Sequence, residues 1–312
     1  MKAIIINEPG GTDKLIYTEL PTPVINDEQV LVRVKAISIN PVDVKSRAGH
    51  GVWGRLKEEV PLILGWDISG VVEQAGDNSG FKKGDEVFGM VHFPGHGKAY
   101  AEYMAAPARH LALKPANISH EEAAAATLSA LTAYQALVLR GNLQHGQKVL
   151  VHAAAGGVGH FAVQIAKHLG VEVTGTSSAK NRDFVLGLGA DSHIDYHGYD
   201  WEESDKKFDF ILDNVGGQTI DNSLEVAKPG STLISIPTGL NEQVTQKAKD
   251  KGVNGYFFLV TSNGKDMKVI AEWLEKGYIK SHVSETFDFN DMALAHKHVE
   301  SGRTVGKVIV KL

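Results

Sequence analysis

The chain has 312 residues, 43% hydrophobic and 22% charged, which is long enough for two domains with ordinary cores. Lys plus Arg number 32 and Asp plus Glu 37, a formal net charge of -5, so there is no basic footprint for nucleic acid. There is no cysteine. That excludes disulfides, thiolate metal sites and a cysteine nucleophile. It also fits a cytoplasmic protein.

The chain opens on Met1-Lys2-Ala3-Ile4-Ile5-Ile6 and a turn, Glu8-Pro9-Gly10-Gly11, which is expected to be a first strand rather than a signal segment. No stretch reaches the roughly 18 apolar residues of a membrane span, so no membrane partner is expected. Up to about residue 115 the texture is strand and turn. Val30-Leu31-Val32-Arg33-Val34 and Ile68-Ser69-Gly70-Val71-Val72 are rich in β-branched residues. A compact, barrel-like β domain is expected there.

Ser119 before Glu121-Glu122 predicts a helix start, and the alanine-rich run to residue 139 reads as one helix. Strands are then predicted over 148–152, 171–175, 193–195, 208–213, 231–236 and 254–260. Helices over 158–169 and 218–228 lie among them. Six strands with helical crossovers predict a doubly wound parallel sheet. Helices over 265–276 and 291–300 and a strand over 305–310 close the sequence and are expected to rejoin the first domain. The expected division is 1–118 with 265–312, and 119–264.

The strongest local pattern is Val149-Leu150-Val151-His152-Ala153-Ala154-Ala155-Gly156-Gly157-Val158-Gly159. Ala154, Gly156 and Gly159 sit at the G-x-G-x-x-G spacing, with alanine at the first place. Small residues let the backbone approach a pyrophosphate, and the helix start offers free N–H groups and a positive dipole end. A tight turn without a ligand is the alternative, but its place at the first of six predicted strands favours dinucleotide binding. An NAD site usually carries an acid about 20 residues on. Here the second strand runs into Gly175-Thr176-Ser177-Ser178-Ala179-Lys180-Asn181-Arg182, with hydroxyls and cations and no acid. Lys180 is expected in the first turn of the next helix, where the dipole disfavours a cation and a bound 2′-phosphate would reverse that cost, so NADP(H) is expected; a solvated basic helix end is the other reading.

With these segments in view, the sequence resembles the zinc-independent, zeta-crystallin-like quinone oxidoreductases of the medium-chain dehydrogenase/reductase superfamily. The segments that carry the resemblance include Asn40-Pro41-Val42-Asp43, Gly65-Trp66-Asp67, Gly84-Asp85-Glu86-Val87, Leu131-Thr132-Ala133-Tyr134, Asp213-Asn214-Val215-Gly216-Gly217 and Ser301-Gly302-Arg303-Thr304-Val305-Gly306-Lys307. The resemblance implies a GroES-like catalytic domain made from both ends of the sequence, a Rossmann domain with a six-stranded parallel sheet between them, and a cleft for the nicotinamide. Zinc-dependent relatives carry cysteine where Asn40 stands and histidine where Trp66 stands. Both departures remove metal ligands, so no metal is expected.

Without a metal, hydride delivery to a quinone or an α,β-unsaturated carbonyl is the natural reaction, with hydrogen-bond donors around the oxygen that gains charge. Asn40 is expected to donate to that oxygen, with a turn cap before Pro41 as its alternative. Lys45 is expected to hydrogen-bond the cofactor ribose or supply a proton, with a merely exposed lysine as the alternative. Trp53, Trp66 and His92 are candidate pocket walls. Asp43 is expected to hold the loop or a ribose hydroxyl of the cofactor, and the resemblance assigns Thr132, Ala155, Gly156, Gly157, Val158, Gly159, Ser177, Lys180, Tyr196, Asn214, Val215 and Pro237 to the cofactor. Phe257 and Leu259 are placed at the nicotinamide, at a subunit edge or in sheet packing. A homodimer through the edge of the Rossmann sheet is expected. Enoyl-thioester reduction and a non-catalytic NADPH-binding role are the competing functions.

Overall fold

The computed structural model describes residues 1–59, 61–237, 239 and 243–312. Two compact units divide the chain. The first is Met1–Leu131 with Val260–Leu312, and the second is Thr132–Leu259. In chain order, the first part supplies strands β1 (Lys2–Ile6), β2 (Ile16–Glu19), β3 (Gln29–Ile39), β4 (Leu62–Ile63), β5 (Asp67–Ala75), β6 (Glu86–Met90), β7 (Tyr103–Pro107) and β8 (Ala112–Leu113). Its helices are α1 (Pro41–Arg47), α2 (Trp53–Leu56) and α3 (His120–Ala125), and α4 (Leu128–Tyr134) leads across the division. The second unit contributes β9 (Lys148–Val151), α5 (Gly157–His168), β10 (Glu172–Ser177), α6 (Arg182–Gly187), β11 (Ser192–Asp195), β12 (Phe208–Asp213), α7 (Gln218–Glu225), β13 (Ala227–Ser235), α8 (Val244–Asp250) and β14 (Asn254–Phe257). The chain returns to the first unit with α9 (Gly264–Glu275), β15 (Val283–Asp288), α10 (Met292–Glu300) and β16 (Lys307–Lys311).

The first unit is the expected β-rich, GroES-like body. Its larger sheet runs β15-β16-β3-β5-β6-β8, with β7 also pairing β3, and a small sheet runs β2-β1-β4. β3 is its spine: Val30, Val32, Val34, Ala36, Ile37 and Ile39 are all buried, whereas Arg33 is exposed. Bulges after Leu31 and Val34 let this long strand curl, which a strand pairing on both sides of a barrel wall requires. β16 pairs antiparallel with β3, so the last strand completes the wall begun by the third.

Two expectations need correction here. The alanine-rich run is not one helix. α3 is capped as expected, with Ser119 Oγ accepting from Glu122 N at 3.1 Å and Glu122 Oε2 accepting from Ser119 N at 2.9 Å. It then stops because Thr127 Oγ1 donates to Ala124 O and the Leu128 N–H donates to Asp67 Oδ1 at 3.0 Å. α4 follows, and it ends in a wider π turn, Gln135–Arg140, closed by Gly141 N donating to Ala136 O. Against the expected division at 118/119, α3 packs on β3, β5 and β16, with Ala124 and Ala125 in a core cluster with Ala36 and Ile309, and so stays with the first unit.

The second unit is a six-stranded, all-parallel sheet in the order β11-β10-β9-β12-β13-β14. Leu150, Ile211 and Leu233 are fully buried on the central strands. That is the doubly wound Rossmann sheet the sequence predicts, with the strand order reversing beside β9. α7 is shorter than expected because β13 begins at Ala227, and Lys228 before Pro229 is pushed towards extended backbone.

Candidate functional site

In a parallel sheet the strand ends on one edge share one direction, so the residues after each strand gather there. Most of the cofactor candidates occupy this edge. Ala155 and Gly156 lie in the turn between β9 and α5, and Gly157, Val158 and Gly159 form the first turn of α5. Ser177 ends β10, Tyr196 follows β11, Asn214 and Val215 follow β12, Pro237 follows β13 and Phe257 ends β14. Leu259 lies beyond β14 and is half-buried, so it is not a strand residue as expected. Thr132 is buried within α4.

The turn is built for close approach. Ala154 N donates to Thr176 O at 2.8 Å, and Ala153 adopts φ 49°. A Cβ on Gly159 would lie 2.1 Å from Ala153 O, so only glycine lets α5 settle this closely on the turn. Gly156 precedes α5 with no side-chain cap on the helix, which leaves its first-turn N–H groups open to an anion. His152 sits beneath, with Ser223 Oγ at 3.0 Å from Nε2 and Thr176 Oγ1 at 3.2 Å from Nδ1. Ser223 donates to Thr219 O, so it accepts from Nε2–H and fixes that tautomer. Burial pushes His152 down to about 4, so it is neutral at pH 7.

Asp213 pins the neighbouring turn, accepting from Val215 N and Gly216 N at 2.9 Å and from Ser235 Oγ at 2.7 Å. This presents Asn214, whose Nδ2 donates to His152 O at 2.6 Å while its buried Oδ1 has no partner. An orphaned acceptor at this strand end fits a ribose or carboxamide donor. The residues therefore fit a dinucleotide.

At the end of β10, Lys180 is exposed in a 3-10 turn, Ala179–Asn181, and forms no ion pair among the described residues. The next α-helix begins only at Arg182, so Lys180 precedes the helix rather than lying in its first turn as expected. Tyr196 is half exposed, with its ring 4.1 Å from that of His197. Ser177 is buried, donating to Ser178 O and meeting His193 Nε2 at 2.7 Å, so its hydroxyl is largely spent locally.

The first unit holds a buried polar cluster at the end of β3. Asn40 caps α1 through a box with Asp43: its backbone N–H donates to Asp43 Oδ2 at 2.8 Å. Its side-chain Nδ2 donates to Asp67 Oδ2 at 2.8 Å and to Ser38 O at 3.4 Å, and its Oδ1 accepts from Lys307 Nζ. Lys307 also donates to Ile39 O at 3.2 Å. Asn40 is 1% exposed. Both amide donors are spent and sealed in, so the expectation that Asn40 donates to a substrate oxygen is not met by this geometry; the turn-cap alternative is what the chain builds.

The cluster continues outward. Tyr100 Oη donates to Asp43 Oδ1 at 2.9 Å and meets His296 Nε2 at 2.9 Å. Arg47 Nη1 lies 3.2 Å from His296 Nδ1 and its Nη2 pairs with Glu300. Arginine only donates, so His296 accepts at Nδ1 and carries its proton on Nε2. The chain of donors thus runs Arg47, His296, Tyr100, Asp43. Burial, with the Arg47 charge, pushes His296 down to about 3. Burial and the neighbouring Asp67 push Asp43 up to about 7, against the pull of its two donors and Lys307. Burial lowers Lys307, and the two carboxylates oppose that shift. Asp43 is fully buried and holds α1 through the capping box, the first of its two expected roles, rather than facing out towards a ribose.

Lys45, on the same helix α1, is half-buried, and its ammonium makes no hydrogen bond or ion pair among the described residues. Trp66 is 1% exposed, with its indole N–H bound to Gly95 O at 2.7 Å and its ring edge-on to Phe93, so it is a core residue and not the expected pocket wall. Trp53 is half-buried in α2, and His92 is half-buried after β6. Among the described residues, no group of three or more His, Cys, Asp or Glu is placed to hold a metal ion. Sequence reasoning missed Asp67, Tyr100, His296 and Lys307. The available signal was Lys307 itself, a charge inside the apolar run Val305-Gly306-Lys307-Val308-Ile309.

A β-rich body joined to a Rossmann sheet with an open glycine turn defines a nicotinamide-dependent oxidoreductase. Comparison with known proteins agrees. Residues 26–116 match the alcohol dehydrogenase GroES-like domain and residues 188–310 match a zinc-binding dehydrogenase domain. The chain is 34% identical to a 2-methylene-furan-3-one reductase of Solanum lycopersicum, over 99% of this chain and 79% of that protein. It is 33% identical to a chloroplastic NADPH-dependent alkenal/one oxidoreductase of Arabidopsis thaliana, with the same coverage. The quinone oxidoreductase structure from Coxiella burnetii superposes with a TM-score of 0.95 at 34% identity, covering 100% of this chain and 99% of that one. The chain belongs to the medium-chain dehydrogenase/reductase superfamily, among its quinone oxidoreductase-like members. No helix of the described residues is long and apolar enough to cross a membrane.

Proposed function

We propose that the protein is an NADPH-dependent reductase of quinones or α,β-unsaturated carbonyl compounds that works without a metal. The observation that carries this reading is the cluster at Asn40. At the position where zinc-dependent relatives place a thiolate ligand, an amide is bound into an ion cluster with Lys307, Asp43 and Asp67, and Trp66 replaces an imidazole. This donor set does not suit zinc. An acceptor that is already electron-poor needs no Lewis acid, and the relatives named above are reductases of that type.

When bound, the reduced nicotinamide supplies the hydride. The residues of this chain do the rest. The open N–H groups at the start of α5 hold the pyrophosphate, with Gly156, Gly157 and Val158 giving backbone access. Asn214 Oδ1 accepts from the cofactor, and Lys180 with Tyr196 takes the 2′-phosphate. Lys45, whose ammonium has no partner among the described residues, donates to the substrate or to the cofactor ribose. We further propose a cytoplasmic homodimer paired through the β14 edge of the sheet.

Steady-state oxidation of NADPH and NADH against enones and quinones tests the reading. NADPH should be preferred, and Lys180→Ala should raise the KM for NADPH by about tenfold, the worth of one charged contact of roughly 1.4 kcal/mol, while leaving saturated turnover nearly unchanged. Equal use of NADH and NADPH would sink the NADP assignment.

A further inference from the structure

We propose that His110, backed by the ring of His92, binds the oxygen of the substrate through its Nε2–H; this rests on the reductase reading above. His110 ends a 3-10 turn, Ala108–His110, and is 8% exposed. The backbone N–H of His92 donates to its Nδ1 at 3.2 Å, so Nδ1 is the acceptor and the proton stands on Nε2. That Nε2–H has no acceptor among the described residues, and the residue keeps 8% of its surface exposed. The two rings meet edge-on, 5.3 Å apart.

The seat is held in a costly conformation. His92 has φ 59°, a left-handed backbone for a bulky residue. It is fixed on both sides, by Val91 N donating to Trp66 O at 2.8 Å and by Phe93 N donating to Ser262 Oγ at 2.8 Å. Strain of this kind gathers at functional positions. The place fits too. Met90 pairs in register with Asp67, which binds Asn40, so His92 leaves the sheet at the end where Asn40 stands.

The electrostatics suit an oxygen that gains charge. Burial and Arg109 lower both imidazoles; His92 also faces Lys98 and His96, and the two rings face each other. His110 is pushed down to about 4 and is therefore a neutral donor at pH 7, set among cations. In the reaction, hydride from the reduced nicotinamide forms a new C–H bond at the β-carbon. The π pair moves so that negative charge gathers on the carbonyl oxygen, and solvent or Lys45 then protonates the α-carbon. The Nε2–H hydrogen-bonds that oxygen and keeps its own proton. A preorganised donor of this kind favours the charged state over the ground state.

The test uses the whole protein with NADPH and either 2-cyclohexenone or 1,4-benzoquinone. His110→Phe should lower kcat/KM about 100-fold, with the dissociation constant of NADPH within about twofold of wild type. His110→Gln, which can still accept from His92 N and still donate, should recover most of the loss. Activity of His110→Phe within about threefold of wild type overturns the assignment. So does an equal loss in the Phe and Gln variants, which would make His110 only a support for His92. A wild type that turns over neither acceptor defeats the reductase reading instead. The histidine assignment is then decided by the 15N and 1H shifts of the His110 Nε2–H on titration with 2-cyclohexenone, where a shift supports it and no shift overturns it.

Discussion

Lys307 and Lys45 are two lysines of one unit with opposite fates. Lys307 lies on a buried strand, 3% exposed, and its charge is tolerated because Asn40 Oδ1 and Ile39 O accept from it while Asp43 and Asp67 balance it. Removing one member of such a group leaves the others uncompensated in a low-dielectric interior, which costs about 3–5 kcal/mol. Lys307→Met should therefore lower the thermal midpoint sharply. Lys45→Met removes no interaction among the described residues, so its stability cost should stay within about 0.5 kcal/mol, while kcat/KM falls. Thermal unfolding read alongside steady-state rates separates the two, and a Lys307→Met protein as stable as wild type would refute the balance described for the cluster. At this scale Asn40 was legible as a position, with its cap before Pro41 as one of two readings, but its buried partners were not legible. Its partners Asp67 and Lys307 stand 27 and 267 residues away in sequence, and only the β3–β5 and β3–β16 registers bring them together.

At the scale of elements, the parallel strands and the glycine turn were legible because continuous apolar runs and a strand–turn–helix pattern need no distant partner to be recognised. The break in the alanine-rich stretch was not, because what ends α3 and starts α4 is a carboxylate on β5 accepting from Leu128 N. The last strand of the Rossmann sheet carries its own consequence. Among the described residues β14 pairs only with β13, and Phe257 on it is 38% exposed. An unpaired edge with an apolar side chain is a template for another strand, and an identical edge closes it with two-fold symmetry. Sedimentation at micromolar concentration should show a dimer, and Phe257→Pro should shift it to monomer, because Phe258 N faces β13 and the alternation of the strand turns the Phe257 N–H to the open edge. A wild type that sediments only as monomer would remove the dimer from the proposal.

Over the whole molecule, the buried histidines set the response to acid. His110 and His152 are pushed down to about 4 and His296 to about 3, against an unfolded value near 6.5. Between those limits the unfolded chain binds more protons than the folded one, so their contribution is complete above 6.5 and is lost as pH falls through the folded values. Asp43 works in the opposite sense. Pushed up to about 7 from 3.8, it favours the folded state below 3.8 and loses that contribution as pH rises through 7. These three histidines, with His92, His120 and His193 lowered by burial in the same sense, outweigh the two raised aspartates Asp43 and Asp67, so the midpoint in calorimetry should fall by more than about 5 °C between pH 6.5 and pH 4. A flat profile over that range would mean that these imidazoles are not held neutral.

The return of β15 and β16 to the sheet of β3 bears on how the molecule is made. β16 lies between β15 and β3, so the first unit lacks an interior strand until residue 311 has been synthesised. The second unit is one uninterrupted stretch, 132–259, with mostly local strand connections. During synthesis the dinucleotide-binding unit can therefore finish folding first, while the first unit waits with Ala36–Ile39 of β3 lacking their β16 partner and with Asp43 and Asp67 without their lysine. The last strand to emerge brings both the missing pairing partner and the cation, so closure of the wall and neutralisation of its buried acids occur as one late event.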